Sequence, residues 1–453
     1  MNILMEDLCA AYKGEKVEKE KYTTFDYITE EQKRTENGVR DRDIKYVDTL
    51  MSGIKLKRSI LNKSKCKDLS EGVYGVIRKR FDKLPRKQVL YYGKKHGVSE
   101  NALFIAAFNY CISMYSDEDE VFVNSIHSGR TDSRWNRIVG PLFETYYCKY
   151  DKVSHEKVEK LLKRTGKQIM ETMKCLTSCP RQGEMFLQFQ GDILETPQIG
   201  GENTERMHIQ LDSLPFHLQV MYDDNGYYAE LRFWENRFDK KLLEIFLDVF
   251  ESILLAMLDE TSVRCLKEHL PQEVYPKHYY VNVSKLNKAA GSKIISEEQS
   301  DEQIKVYVLD DDYSKKPYGA WGKVYIMDYE PINCAKIVQY PYGEGVLYDT
   351  GIIGRILPDG TIDFLENAGR TVLTDGIHGR KYYDLKLLEK YILEYGGVKD
   401  AECYLAYDPE INEMSLYADI KTDSAQIDIS GLKEFVRDKA GDDVFLKNVE
   451  IVQ

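Results

Sequence analysis

Residues Val121 to Tyr150 read VFVNSIHSGRTDSRWNRIVGPLFETYYCKY. Val121, Phe122, Val123 and Ile126 form an apolar run with the length and β-branched content of a buried strand. The run breaks at Ser128-Gly129-Arg130, crosses a polar loop, and resumes at Ile138-Val139-Gly140 before a second, aromatic-rich run. A glycine between two such runs marks a place where backbones approach closely or φ turns positive. The stretch is read as a strand, loop, strand unit. His127 stands alone at the strand end, where a histidine is a packing or surface group rather than a catalyst.

Outward from this unit the pattern alternates between helix and strand. Ser99 caps a helix whose first turn carries Glu100 and Asn101, with Leu103, Ala106, Ala107, Tyr110 and Met114 as its apolar stripe. Upstream, Leu4, Leu8, Ala11 and Tyr12 share a helix face that ends near Gly14, and a further helix is expected through Asp41–Ile54. Downstream, a helix over Glu156–Met173 turns Val158, Leu161, Leu162, Ile169 and Met170 inward. Segments His208–Leu211 and His217–Tyr222 alternate as strands, and Asp224-Asn225-Gly226 signals a tight hairpin into Tyr227–Trp234. A strongly apolar helix, Lys240–Leu258, follows, carrying Leu243, Phe246, Leu247, Phe250, Ile253, Leu254 and Met257.

The pattern weakens from Thr261 to Gln303, and Asn287–Gln303 has the small, polar composition of a linker. Short strands are then expected at Lys305–Leu309 and Lys323–Ile326, and a hairpin at Leu347–Leu357 and Thr361–Leu365 around Pro358-Asp359-Gly360. The tail reads helix (Leu385–Tyr395), strand (Ala401–Ala406), strand (Met414–Ile420), helix (Leu432–Lys439). The fold class is α/β (α+β) in layers.

Composition narrows the function. With 63 Lys and Arg against 75 Asp and Glu the net charge is −12, which disfavours nucleic acid and anionic membrane as partners. The amino terminus lacks a signal-peptide pattern and no run has the length of a membrane span, so the chain is expected to be cytoplasmic. Nine Cys without a CxxC pattern read as reduced thiols, and no His pairs with Cys at zinc-ligand spacing. Asp310-Asp311-Asp312 reads as a solvated strand end, and the charged runs Lys13–Lys21 and Asp117–Glu120 as solvated faces.

Three pieces of the first half resemble condensation domains of nonribosomal peptide synthetases, in order. MNILMEDLCAAYKGE is similar to the helix that follows the family's HHxxxDG motif, and Thr24–Gly53 to the stretch leading to its "yW…L.G". Gly97-Val98-Ser99 with the helix after it, then Ser128-Gly129-Arg130 and Val139-Gly140, resemble the C-terminal lobe and its "GR…VG.F.NT" segment; Leu231-Arg232-Phe233 through Phe250 resemble that lobe's end. The second half resembles adenylation (AMP-binding) domains: Val306–Ile326 is similar to "vYVLD…PvG..GElyi", and Leu347–Arg370 to "LYrTGDlgR..pDG.ieflGR".

The resemblance implies a chloramphenicol acetyltransferase-like condensation lobe followed by a small β-rich and α+β portion. It divides the chain into 1–70 (remainder of the N-terminal lobe), 71–262 (C-terminal lobe), 263–303 (linker), 304–370 (adenylation-like β portion) and 371–453 (adenylation-like α+β subdomain). It implies joining of carrier-bound aminoacyl and acyl thioesters as an amide, with phosphopantetheine-loaded carrier domains and other synthetase chains as partners, and ATP with magnesium in the wider family. The family's HHxxxDG would lie just before Met1, and its catalytic lysine just beyond Gln453. Where the family's ribose-binding Asp belongs stands Ile352, and Gly369-Arg370-Thr371-Val372 lacks the hinge Asp. Thr350, Gly351, Arg355, Arg370 and Gly379 match as hairpin and turn residues; Thr350 and Arg370 are the remnant cofactor-binding positions, and no catalytic or metal-binding residue is expected. No cofactor is expected to bind this chain. The alternatives are a non-enzymatic scaffold that docks carrier domains and a chloramphenicol acetyltransferase-like acyltransferase.

Overall fold

A helix buried along most of its surface organises the first half. In this computed structural model the residues described are 2–17, 19–64, 72–130, 132–153, 155–175, 184–191, 198–199, 202–203, 214–259, 261–276, 279–290, 294–295, 302–327, 331, 337–341, 343–365, 371–376, 379–411, 413–422 and 427–452. Helices α1 (Asn2–Tyr12), α2 (Thr24–Glu36) and α3 (Val39–Met51) lead into β1 (Tyr74–Arg80), α4 (Arg86–His96), α5 (Glu100–Ser116), β2 (Glu120–His127), β3 (Glu144–Asp151), α6 (Val158–Thr172) and β4 (Met185–Gly191). A two-residue pair, β5 (Gln198–Ile199) and β6 (Glu202–Asn203), precedes β7 (Phe216–Asp223), β8 (Gly226–Trp234) and α7 (Lys240–Asp259).

The six-stranded sheet runs β1-β8-β7-β4-β2-β3, with β4 parallel to both β2 and β7 and the other pairs antiparallel. Ser99 caps α5, its hydroxyl accepting from Ala102 N at 3.2 Å. Phe104, Ile105, Phe108, Cys111 and Ile112 are buried along with Leu103, Ala106 and Ala107, so α5 is apolar nearly all round, as an enclosed helix must be. Tyr110 and Met114, expected at the centre of its stripe, instead lie on its least buried side. Helix α7 packs as expected, with Phe246 and Phe250 against Phe108.

Several other expectations change. Ile138–Gly140 is loop, and β3 begins at Glu144. Met170 is exposed rather than inward. His217–Tyr222 lies in β7, but the strand buries both faces instead of alternating; residues 208–211 lie outside the described residues. The hairpin at Asp224-Asn225-Gly226 is formed, with Asp223 paired to Gly226. In the Asp117–Glu120 run, burial raises the Glu118 pKa to about 6, so that carboxyl does not stand on a solvated face.

Within 263–303, expected as a linker, the described residues form packed elements. A 3-10 helix, Val263–His269, sets Val263 and Leu266 in the main core. Then β9 (Tyr280–Asn282) and α8 (Val283–Ala290) join a second core, in which Leu286 and Ile295 are buried. Apolar residues spaced through a polar composition were enough to seat it. Strands β10 (Gln303–Leu309), β11 (Gly322–Met327), β12 (Ile337–Gln339), β13 (Val346–Ile356) and β14 (Ile362–Phe364) follow, ordered β12-β13-β11-β10-β9 with β14 on β13. A ribbon, β15 (Thr371–Gly376) and β16 (Gly379–Asp384), leads to α9 (Leu385–Leu393), β17 (Val398–Asp408), β18 (Glu413–Thr422), α10 (Ile429–Ala440) and β19 (Leu446–Ile451). The tail thus has three strands rather than two, β19 lying parallel to β18.

One segment, 54–64, ties the halves together. Leu56 pairs with Leu405 of β17, Ser59 O accepts from Trp321 Nε1 at 2.9 Å, and Lys63 N donates to Arg237 O at 2.8 Å. Leu61 is fully buried at φ 60°, a left-handed conformation that the surrounding contacts must impose.

Candidate functional site

The loop between β2 and β3 is the best-defined site in the condensation-like half, and its residues explain their own pattern. Gly129 has φ +68°, and a Cβ there would overlap the Leu142 carbonyl oxygen, so both reasons for a glycine hold at once. Arg130 closes the loop on itself: Nη1 donates to Ser128 O at 3.0 Å and Nη2 to Ile138 O at 2.9 Å. At Gly140 a Cβ would come within 2.7 Å of Thr24 Oγ1, so this second glycine admits the start of α2. The spacing of glycine, arginine and glycine is therefore mechanical. It folds 128–142 into a seat for the amino-terminal helices.

Those helices dock through a small separate core of Tyr27, Trp135, Ile138 and Leu142, with Tyr22 and Tyr27 edge-on to Trp135. Arg137 Nη2 donates to Asp7 Oδ1 at 2.6 Å, and Arg34 Nη2 to Lys174 O at 2.9 Å. Helix α2, where no helix was expected, is capped by Thr23, whose N–H and hydroxyl both donate to the Asp26 carboxylate. That T-x-x-D spacing was the signal available for it. The opposite side of α1 leaves Leu4, Leu8 and Tyr12 exposed.

His127 stands where this seat meets the sheet. Burial lowers its pKa to about 4, so the ring is neutral near pH 7. Gly129 N–H donates to Nδ1 at 3.1 Å, which places the ring proton on Nε2, and Nε2 has no hydrogen-bond partner among the described residues. Such an imidazole is a hydrogen-bond donor, and its low basicity makes it a poor proton acceptor.

The sheet face turned away from α5 and α7 carries a row of polar side chains. Gln188 Oε1 lies 3.1 Å from His217 Nε2 and accepts from Gln219 Nε2 at 3.1 Å; Glu230 accepts from Arg78 Nε at 2.8 Å and Arg232 Nη2 at 2.7 Å. Burial pushes the Glu230 carboxyl up, but the two arginines outweigh it and hold the group below its ordinary value. The register, Gln188 opposite Gln219 opposite Glu230 opposite Arg78, puts complementary groups side by side, with the Gln219 amide oxygen left without a partner among the described residues.

In the second half, Thr350 borders a cleft of about 330 Å³ shared with Lys386 and Glu389. Its hydroxyl donates to Val324 O at 2.6 Å and accepts from Ile352 N at 3.3 Å, which holds the turn. Ile352 packs in the second core. Arg370, the other expected position, lies outside the described residues. Arg355 is fully buried, donating Nε and Nη2 to Asp363 Oδ2 at 3.1 and 3.0 Å.

Comparison with known proteins places the first part of the chain. Residues 1–175 match the family model described as the condensation domain. Over 106 residues the chain is 35% identical to surfactin synthase subunit 3 of Bacillus subtilis (strain 168), a stretch that is 21% of this chain and 8% of that protein. Among solved structures it resembles a holo four-domain nonribosomal peptide synthetase bound to AMP and glycine, at TM-score 0.55 and 10% identity. That likeness covers 91% of this chain and 56% of the other. The condensation domain from the Monacolin K polyketide synthase MokA aligns at TM-score 0.46 and 15% identity, covering 56% of this chain and 65% of that one. The chain therefore spans about half the length of the synthetase structure it resembles, and a small part of the surfactin subunit. At these identities the structural likeness shows the fold: mixed α/β, of the kind found in these synthetases. Among the described residues no helix is long and apolar enough to cross a membrane.

Proposed function

We propose that this chain is part of a nonribosomal peptide synthetase module, with a condensation-type C-terminal lobe followed by units akin to the carboxy-terminal part of an adenylation domain. The observation that carries this reading is the 1–175 match, together with the seat at 128–142, whose glycines and arginine each have a mechanical role. In such a module the amine of one carrier-bound aminoacyl thioester attacks the acyl thioester of another. A C–N bond forms, the C–S bond breaks, and the thiol of the phosphopantetheine arm leaves while the amine gives up a proton. Carrier domains and other synthetase chains, in the cytoplasm, are the partners.

On this reading the chain supplies walls rather than the reacting group. The general base or positioning histidine belongs to an HHxxxDG motif, and His127, with its basicity lowered by burial, is a poor substitute. The nucleotide chemistry of the adenylation family is not carried here, since Ile352 packs in a core and the Thr350 hydroxyl is bonded within its turn. The test pairs the purified chain with donor and acceptor carrier proteins loaded with thioesters, reading amide product by mass spectrometry, alone and joined to any in-frame upstream sequence containing HHxxxDG. Amide formation is expected with that sequence and not without it. Pyrophosphate exchange with ATP by the chain itself would refute the second part.

The exposed Leu4, Leu8 and Tyr12 of α1 favour one alternative, a scaffold that docks carrier domains without catalysis. Retention of carrier proteins by the chain, lost on Leu8→Glu, with no amide formed under any condition, would select it.

A further inference from the structure

A cavity of about 430 Å³ lies where the two halves of the chain meet, distant in role from every residue of the condensation-like seat. Its walls are the least buried side of α5 (Tyr110, Met114), the end of β3 (Tyr150) and Val263 of the 3-10 helix; its mouth carries His155 and Arg264. The turn after β10 closes the far side with Asp310, Asp311 and Asp312.

The charges around this cavity are not equivalent. Every carboxylate that lines it is already matched by a lysine: Asp117 by Lys316 at 2.7 Å, Asp119 by Lys152 at 3.1 Å, Asp311 by Lys323 at 2.7 Å, and Asp310 and Asp312 by Lys267 at 2.8 and 2.6 Å. Of the acidic triplet, Asp310 and Asp312 are tied to Lys267, while Asp311 stays exposed as the solvated strand end that its sequence suggested. Arg264 and His155, in contrast, have no ion pair or hydrogen bond among the described residues. Nor do the hydroxyls of Tyr110 and Tyr150, whose rings line the cavity. Burial keeps both phenols protonated, so both are donors. The two rings meet edge to face, 6.3 Å between centroids, and form an aromatic wall. Both residues line the cavity, so their hydroxyls are donors open to whatever occupies it.

What remains unmatched is therefore one guanidinium, one imidazole and two phenolic donors beside an apolar wall. We propose that this interdomain cavity binds a small monocarboxylate with an aromatic or branched apolar body, the carboxylate at Arg264 and the body against Tyr110, Met114 and Tyr150. The volume suits such a molecule. A multiply charged anion such as phosphate is disfavoured by five aspartates around the same space, whereas a single negative charge is met by a guanidinium without needing to displace any lysine. Because the walls come from both halves, occupancy also binds the halves to each other.

The probe is 3-phenylpropionate, titrated calorimetrically into the full chain, with 3-phenylpropanol and inorganic phosphate as comparators. Saturable binding of the acid is expected, roughly ten-fold or more tighter than the alcohol, unaffected by excess phosphate, and weakened by a similar factor in Arg264→Gln. Arg264 is exposed, so that variant keeps its fold; Tyr150→Phe, which keeps the ring and removes only the hydroxyl, is expected to weaken binding about three-fold or more. Acid and alcohol binding equally, binding undiminished in both variants, competition by phosphate, or no saturable binding of the acid would each overturn the proposal.

Discussion

Arg355 and Asp363 face each other across the β13–β14 hairpin, and the wholly buried guanidinium holds the carboxylate with one hand and segment 54–64 with the other. Its Nη1 and Nη2 donate to Asn62 Oδ1 at 3.0 Å and Asn62 O at 2.8 Å, and the ring of Trp321 lies 4.7 Å from its carbon. Burial lowers the Arg355 pKa, and Asp363 offsets part of that shift. An arginine that the family resemblance offers as a hairpin residue is therefore also a tie between the two halves of the chain. Asp363→Ala strands a buried charge and is expected to cost about 3–5 kcal/mol in urea unfolding. Arg355→Met combined with Asp363→Leu removes both charges and is expected to recover much of that loss; a double variant as unstable as the sum of the singles would contradict the assignment.

At Gly129 two separate penalties await a side chain, the left-handed φ and the Leu142 carbonyl. Gly97 has nearly the same φ, +70°, with open space around it. Gly97→Ala is expected to cost about 1 kcal/mol, and Gly129→Ala about 1–3 kcal/mol more, by thermal melting. Limited proteolysis between α1 and α2 is expected to accelerate only in Gly129→Ala, because that loop seats those helices. Equal effects of the two substitutions would show that the carbonyl contact is not real.

His127 gives a signed pH dependence. Its folded pKa is lowered to about 4 against an ordinary 6.5, so between those values the unfolded chain binds more protons. The stability that follows from the neutral buried ring is complete above pH 6.5 and is lost as pH falls toward 4. Proton NMR of the ring should show no titration near 6.5, and His127→Asn should flatten the denaturation midpoint across that window. A ring titrating at its ordinary value would refute it.

Glu118 works in the opposite sense. Burial raises its pKa from 4.5 to about 6, with Arg58 opposing the shift, so the folded chain binds more protons between those values. The penalty for its charge is absent below pH 4.5 and complete above pH 6. Glu118→Gln is expected to raise the melting temperature above pH 6 and leave it unchanged below pH 4.5. Asp310, also raised to about 6 by burial, keeps a residual slope of the same sign in that variant.

How far the sequence could be read depended on whether an element's partner was near it in the chain. Helix α5 with its Ser99 cap, helix α7, and the hairpins at Asp224-Asn225 and Pro358-Asp359-Gly360 stood where periodicity and turn chemistry put them. The same local logic misjudged orientation. Met170 had helical spacing but is exposed, while Tyr110 and Met114 proved to border a cavity because a second unit approaches α5 from that side. In the proposed seat the end of β2 and the need for Gly129 were legible, but the start of β3 was not. That Arg130 spans to Ile138, and that Gly140 makes room for Thr24, were not.

The sequence by itself determined the periodic elements, the tight turns, the acidic balance and the resemblance of the first half to condensation domains, because each is written in residues that are neighbours or repeat at short intervals. Only the tertiary structure decided that Val263, Leu266, Leu286 and Ile295 are packed rather than free, that segment 54–64 ties β17, Trp321 and Arg355 together, and that Asp310–Asp312 are held by lysines. Those pairings join residues as distant in the chain as Leu56 and Leu405. Burial and charge matching set them, and neither has a period that a linear reading can follow.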